Sequence, residues 1–574
     1  MKQIPGSVHL NSIAKHMKPV WLVLLLLLSG TGTDAQNIPA RIVVNLTQTK
    51  GPMKPIWAWY GYDEPNFTYM KDGRKLLSEL SRLSPVPVYM RTHNLLTSGD
   101  GVPALKWGST NIYTEDTQGN PVYNFKITDS IFDTYMKRGM KPLAQLGFMP
   151  EALSTHPQPY QHHWKPGVDY AAIETGWAYP PKDYNKWNEL IFQWVRHCVG
   201  RYGEKEVESW YWEVWNEPNG AYWKGTPEEF YKLYDYAAAG VKRALPGARV
   251  GGPDVTGGAE KWLGGFLKHC LADTNYVSRK IGSPLDVILF HAKGSPKVEE
   301  DTVVMSIRRQ LKDINGHFKE ISSFPGLKNM PVIIGESDPE GCAACGMSTN
   351  PENAYRNGTL YSSYTAASLS RIYDLTDLYH ENLIGAVNWS FEFENQPWFA
   401  GFRDLATNGV DKPVLNVFRM LGMMKGKRVT VNSNRAYSLQ TVLDSGIRGR
   451  QTDIGGLAAT DSKSASILVW NYADKDKKTS AEPVQIMISA LPAGVSSVKV
   501  TEYRVDETTS NSYTAWKNMG SPQQPTSRQI TELERSGQLQ VIGKAAVLKA
   551  RAGSVKLTIS LPRQGVSLLV LTFQ

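Results

Sequence analysis

Eight short runs of β-forming residues, separated by stretches of helical periodicity, set the strongest constraint on how this 574-residue chain can fold. The runs cover residues 56–62, 86–93, 141–149, 210–215, 249–254, 285–291, 331–335 and 383–391. Amphipathic patterns at 186–202, 227–245, 301–318 and 361–378 lie between them. Strands alternating with helices predict an α/β chain folded as a (β/α)₈ TIM barrel. In that fold the loops after the strands build the active face, so polar residues at strand C-termini read as functional.

Seven of the eight runs end that way. Run two ends in Arg91-Thr-His93, run three in Gln145-Leu-Gly-Phe-Met149, run four in Asn216-Glu217 and run five in Asp254. Run six gives His291 and Lys293, run seven Glu336 and Asp338, and run eight passes through Asn388-Trp389 to Glu392. Run four is the most telling, because Trp210-Tyr-Trp-Glu-Val-Trp-Asn-Glu-Pro-Asn219 packs aromatic and β-branched residues into a strand and then stops at a proline. Proline cannot donate to a sheet ladder, and it pushes the preceding residue away from helix. Glu217 is therefore expected where a buried strand meets a loop. Aromatic surroundings there would raise its pKa towards that of a general acid.

After about residue 425 the pattern becomes one of alternating strands, at 465–472, 484–488, 497–504, 555–561 and 566–573. This predicts a C-terminal antiparallel β-sandwich, completed by the strand Arg41-Ile-Val-Val-Asn-Leu46. Segments 451–461 and 518–528 read as loops. The N-terminus has an export pattern, with Lys15, His16 and Lys18 before Trp21-Leu-Val-Leu-Leu-Leu-Leu-Leu28 and small residues up to Ala35. That run is too short for a comfortable membrane span. The expected organisation is a signal peptide over 1–35, a strand within 36–50 joining the sandwich, a catalytic barrel over 51–425 and the sandwich over 426–574. The mature protein is expected to be secreted or periplasmic, with no membrane span.

The net charge of +9 is spread along the chain without a dense basic run, which argues against nucleic acid as a partner. The 17 Trp and 27 Tyr suit sugar-binding clefts as well as a large core. Cys342-Ala-Ala-Cys345 has no second Cys or His pair, so a loop disulfide or free thiols are favoured over a metal. Sequons occur at Asn45, Asn66, Asn357 and Asn388. The histidines show no metal-ligand spacing, and no metal or cofactor is expected.

Glu217 and Glu336 end runs four and seven, on nearly opposite walls of one mouth. Two facing carboxylates are the apparatus of glycoside hydrolysis, with retention when they stand about 5–5.5 Å apart and inversion when the gap is wider. Arg91 beside Glu336 would keep that carboxylate ionised, and Asn216 is placed to bind a sugar 2-hydroxyl. A carbohydrate-binding barrel without turnover is the alternative, but it would have no need of two opposed carboxylates.

Trp215-Asn-Glu-Pro218 with Gly335-Glu336 resembles the clan of retaining glycosidases on (β/α)₈ barrels. Within it the chain most resembles glycoside hydrolase family 39, which holds β-xylosidases and α-L-iduronidases. The resemblance rests on Arg91-Thr-His-Asn-Leu-Leu96, the stretch from Trp212 to Asn219, Gly251-Gly-Pro-Asp254, His291-Ala-Lys-Gly294 and Glu336-Ser-Asp-Pro339. It implies Glu217 as acid/base, Glu336 as nucleophile and His93, Asn216 and His291 as substrate contacts. Trp389 also counts among the candidate substrate-binding residues. The substrate implied is a terminal β-D-xylosyl or similarly configured residue of an oligosaccharide or polysaccharide. Lys293 matches a position where iduronidases carry a carboxylate-binding lysine, so a uronic-acid glycosidase is the alternative, with Arg403 a candidate second cation. Trp389-Ser390 lacks the acidic residue that iduronidases place there.

Overall fold

The computed structural model describes residues 39–574, apart from Ser84, Arg450 and residues 477–479. The expected export segment lies outside the described residues. The first strand, β1 (Ala40–Pro52), precedes the barrel but is not part of it. The barrel staves are β2 (Trp59–Tyr62), β3 (Tyr89–Thr92), β4 (Lys141–Leu146), β5 (Tyr211–Val214), β6 (Arg249–Val255), β7 (Val287–Lys293), β8 (Pro331–Asp338) and β9 (Asn382–Ala386). Consecutive staves are neighbours, and every pairing among them is parallel. The ring closes through Asn388, which donates from N to Trp59 O at 2.9 Å and accepts at O from Gly61 N at 3.0 Å. This is the (β/α)₈ barrel that the alternation predicts.

Two elements of the barrel differ from expectation. The run 383–391 is a strand only to Ala386, because its second half turns across the barrel mouth, where Trp389 N donates to Asp338 Oδ2 at 3.1 Å. The helical pattern at 301–318 begins only at Ile307. Ahead of it, β-branched Thr302-Val-Val304 pairs with Lys297–Glu299 in a hairpin.

The second sheet holds β1 together with β10 (Lys427–Ser433), β11 (Asp453–Thr460), β12 (Ser464–Tyr472), β13 (Glu482–Ser489), β14 (Ser497–Val505), β15 (Gln540–Lys549), β16 (Val555–Leu561) and β17 (Val566–Phe573). Its order is β15-β14-β17-β12-β11-β10-β1-β13-β16, antiparallel except where β1 pairs with β13. The segment 451–461 is thus mostly strand, not loop. Its Gly455 and Gly456 weaken the strand signal, yet a Cβ on Gly455 would lie 2.4 Å from the Trp470 ring, so that indole needs a glycine beside it.

Alternation along β12 joins the lobes. Ala465, Ile467 and Val469 enter the sandwich core with Ile42, Val44 and Ile486, while Leu468, Trp470 and Tyr472 face the barrel core. The helix Thr359–Tyr379 lies between, packed on barrel helices on one side and on β11, β12 and β17 on the other. Buried nearly all round, it is rich in Ser, Thr and Ala, small residues that admit close neighbours. Arg371 on this helix pairs with Asp453 of β11 at 2.8 Å, both side chains buried. Asn66, Asn357 and Asn388 are buried, so three of the four sequons cannot carry a glycan in the folded protein. Cys342 and Cys345 form a disulfide, whereas Cys198 and Cys270 are buried thiols. Among the described residues no helix is long and apolar enough to cross a membrane.

Candidate active site

The ends of β5 and β8 carry Glu217 and Glu336 to one cavity of about 360 Å³ at the barrel mouth. After β5 the chain turns sharply, with Trp215 at φ +71° and Glu217 at φ +43°, a left-handed conformation that costs energy for bulky residues. Backbone bonds hold the turn, from Trp215 N to Leu146 O at 3.3 Å and from Glu217 N to Asp254 O at 3.0 Å. Glu217 keeps 20% of its side-chain surface exposed, against 7% for Glu336.

The imidazole of His291 sits between the two carboxylates. Its Nδ1 is 2.8 Å from Glu217 Oε1 and its Nε2 is 3.8 Å from Glu336 Oε1 and 3.1 Å from Asp254 Oδ2. Burial alone would lower its pKa, but Asp254 and Glu336 outweigh burial and push it up to about 10. His291 is therefore a cation at neutral pH.

Arg91, fully buried at the end of β3, is the hub beneath the site. Its Nε and Nη2 each donate to Glu213 at 2.7 Å, Nη1 donates to Glu336 Oε1 at 3.0 Å, and Nη2 lies 2.6 Å from Asp254 Oδ2. Lys293 pairs with Glu336 Oε2. Burial would raise the pKa of Glu336, but Lys293, His291 and Arg91 together hold it well below the ordinary carboxylate range. Burial pushes Glu213 up to about 8, despite Arg91. At neutral pH Glu336 is thus an anion.

Asn216 accepts from Arg91 Nη2 at 2.8 Å through Oδ1. Arginine only donates, so the Asn216 carbonyl must face it and the amide N–H groups are left for a ligand. His93 meets Asp63 Oδ1 at 2.7 Å through Nδ1, and its Nε2 has no partner. Burial and Arg91 lower His93 to about 4, while Asp63 stays ionised. The Nδ1 proton therefore faces Asp63, and Nε2 offers a lone pair to a hydroxyl donor. Trp389 lines the cavity, its ring 4.4 Å from that of His93 and 4.7 Å from the Arg91 guanidinium carbon. It fits there because Gly61 has no Cβ, which would stand 2.3 Å from the indole.

All the candidates from the sequence, Arg91, His93, Asn216, Glu217, His291, Lys293, Glu336 and Trp389, meet in this cluster. Arg403 does not reach the cavity as a free cation. It is buried, with Nη1 2.6 Å from Asp338 Oδ1 and its other nitrogens on the carbonyls of Trp389 and Gly341. Gly335 makes room for Asp254, because a Cβ there would lie 2.3 Å from both Asp254 carboxylate oxygens. Sequence reasoning missed Asp63, Lys106 and Glu213. Asp63 ends the one stave whose polar terminus had gone unnoticed, and Lys106 Nζ, from a loop, reaches it at 2.7 Å. Glu213 looked like a spacer between aromatic residues.

A barrel of this kind with opposed carboxylates at its mouth calls for comparison with known glycosidases. The sequence profile of "Glycosyl hydrolases family 39" matches residues 40–546. The chain belongs to this family and is a glycoside hydrolase. The β-xylosidase of Geobacillus stearothermophilus is 29% identical over 497 residues, covering 84% of this chain and 85% of that one. The α-L-iduronidase of Mus musculus is 25% identical over 391 residues, covering 61% of this chain and 56% of that one. The structure of a monomeric β-xylosidase from Caulobacter crescentus CB15 shares the fold, with a TM-score of 0.72 at 23% identity over 93% of this chain and 99% of that one.

Proposed function

We propose that this family 39 hydrolase removes a terminal β-D-xylosyl residue, or one of the same ring configuration, from an oligosaccharide or polysaccharide with retention. Glu217 protonates the glycosidic oxygen while Glu336 attacks the anomeric carbon, giving a glycosyl-enzyme and a free alcohol. Glu217, now a carboxylate, takes a proton from water, which attacks the anomeric carbon and frees Glu336. The observation that carries this reading is the unlike surroundings of the two acids. Glu336 is clamped by Arg91 and Lys293 as an ionised nucleophile, whereas Glu217 is the more exposed, with His291 as its partner. Unlike environments for two facing carboxylates are what separate nucleophile from acid.

Lys293 favours a second reading. Its ammonium group lines the cavity, and β-D-xylose and α-L-iduronic acid differ only in the carboxylate on C5. A uronic acid bound there would draw Lys293 from Glu336. The deciding experiment is kcat/KM of the purified protein on an aryl β-D-xyloside and an aryl α-L-iduronide, with K293M alongside. A preference for the xyloside supports the first reading. Preference for the iduronide, abolished in K293M, supports the second and overturns the first. Activity of E336Q equal to that of the unaltered protein would overturn both.

A further inference from the structure

One wall of the cavity has no part in the chemistry so far described. It is the loop carrying Trp164, Gly167, Val168 and Tyr170. The Trp164 indole nitrogen donates to Val168 O at 2.9 Å, so the ring's polar edge is satisfied within its own loop and its faces stay apolar. Gly167, at φ +89°, makes the turn that brings the Val168 carbonyl back to the indole N–H. Trp164 and Tyr170 stand 5.0 Å apart at 47°, forming a shallow aromatic angle. The loop is anchored behind, where buried His162 packs on Trp107 and Trp177 at 5.2 and 5.3 Å. Yet Tyr170 exposes 37% of its surface and Val168 47%.

The position of this wall follows from the acid. A group that protonates the glycosidic oxygen lies on the leaving-group side of the broken bond. Trp164, Tyr170 and Tyr222 line the same cavity as Glu217, so an aglycone leaving from the acid meets these rings. Lys106, its Nζ 5.8 Å from the Tyr170 ring centre, is held at 2.7 Å by Asp63 and at 2.8 Å by the Tyr222 hydroxyl. Asp63 already neutralises Lys106, so the cation lining the cavity at this wall is not free for an acidic group, and the rings present apolar faces.

We propose that Trp164 and Tyr170 form the subsite for the leaving sugar and that this sugar is a neutral pyranose stacked on their rings. The proposal rests on Glu217 being the acid. It makes the substrate one whose leaving group carries a ring, in preference to an alkyl glycoside.

The test compares kcat/KM on xylobiose, whose leaving group is a neutral pyranose, with that on β-D-xylosyl fluoride, whose leaving group has no ring. In W164A the xylobiose-to-fluoride ratio should fall about tenfold or more, and W164F should restore most of it. Hydrolysis of the fluoride also reports that the variant is folded. A ratio within about twofold of the unaltered protein's overturns the subsite. Failure of the unaltered protein to hydrolyse either substrate would overturn the proposed xyloside specificity, and the subsite with it.

Discussion

The Nδ1 of His291 lies 2.8 Å from Oε1 of Glu217. A protonated imidazole there donates to the Glu217 carboxylate, the group that takes a proton from water in the double displacement proposed above. His291 keeps its proton to about pH 10 in the folded protein, against 6.5 for the free side chain. A raised folded pKa gives stability that is complete below the unfolded value and is lost as pH rises through the folded one. Urea midpoints should therefore fall between pH 6.5 and about 10, and the fall should be smaller in H291Q.

Replacing Glu217 with Gln should depend on the leaving group. A sugar needs its oxygen protonated, and general acid catalysis is worth about 10²–10⁴-fold. E217Q should lose that much kcat/KM on a disaccharide and far less on a dinitrophenyl glycoside. Equal losses on both would remove Glu217 from the acid role.

Glu336 has the opposite pH signature to His291. Its depressed folded pKa gives stability that is complete above the unfolded value of 4.5 and is lost as pH falls through a folded value well below that. Burial opposes this depression, and Lys293 is the first of the charges that produce it. In K293M the acid limb of kcat/KM should therefore move to higher pH, with some activity retained near neutrality.

G335A should disable the site without unfolding the chain. The new methyl would stand 2.3 Å from both oxygens of Asp254, which cannot swing away freely because Arg91 and His291 hold it. Loss of kcat with an unchanged far-UV spectrum is expected.

At the join between the lobes, Asp453 meets Arg371 at 2.8 Å and accepts from the Trp470 indole N–H at 2.8 Å. D453A strands a buried guanidinium and should cost about 3–5 kcal/mol in urea denaturation.

The barrel was legible because its parallel staves, buried on both faces, read as apolar runs ending in polar residues. The site was legible for the same reason, since Arg91, Asn216, Glu217, His291 and Glu336 all stand at such ends. Elements whose context overrides local preference were not. Asp453–Thr460 looks like a loop until Trp470 is seen to need Gly455 beside it. Arg403 reads as a candidate substrate cation, but its partner Asp338, 65 residues distant in sequence, holds it in the core. Glu213 sat in plain view as one residue of a strand, and only the fold shows that it faces Arg91.

β1 is made before the barrel and used after it, slotted between β10 and β13. The polypeptide is thereby laced shut, and no single scission yields an intact barrel and an intact second sheet. A fragment stopping short of Lys427 would carry β1 with both edges bare, an invitation to self-association. A fragment starting there would lack the strand that bridges β10 and β13. The two lobes cannot be traded between relatives as cassettes; any graft has to move the head of the chain together with its tail.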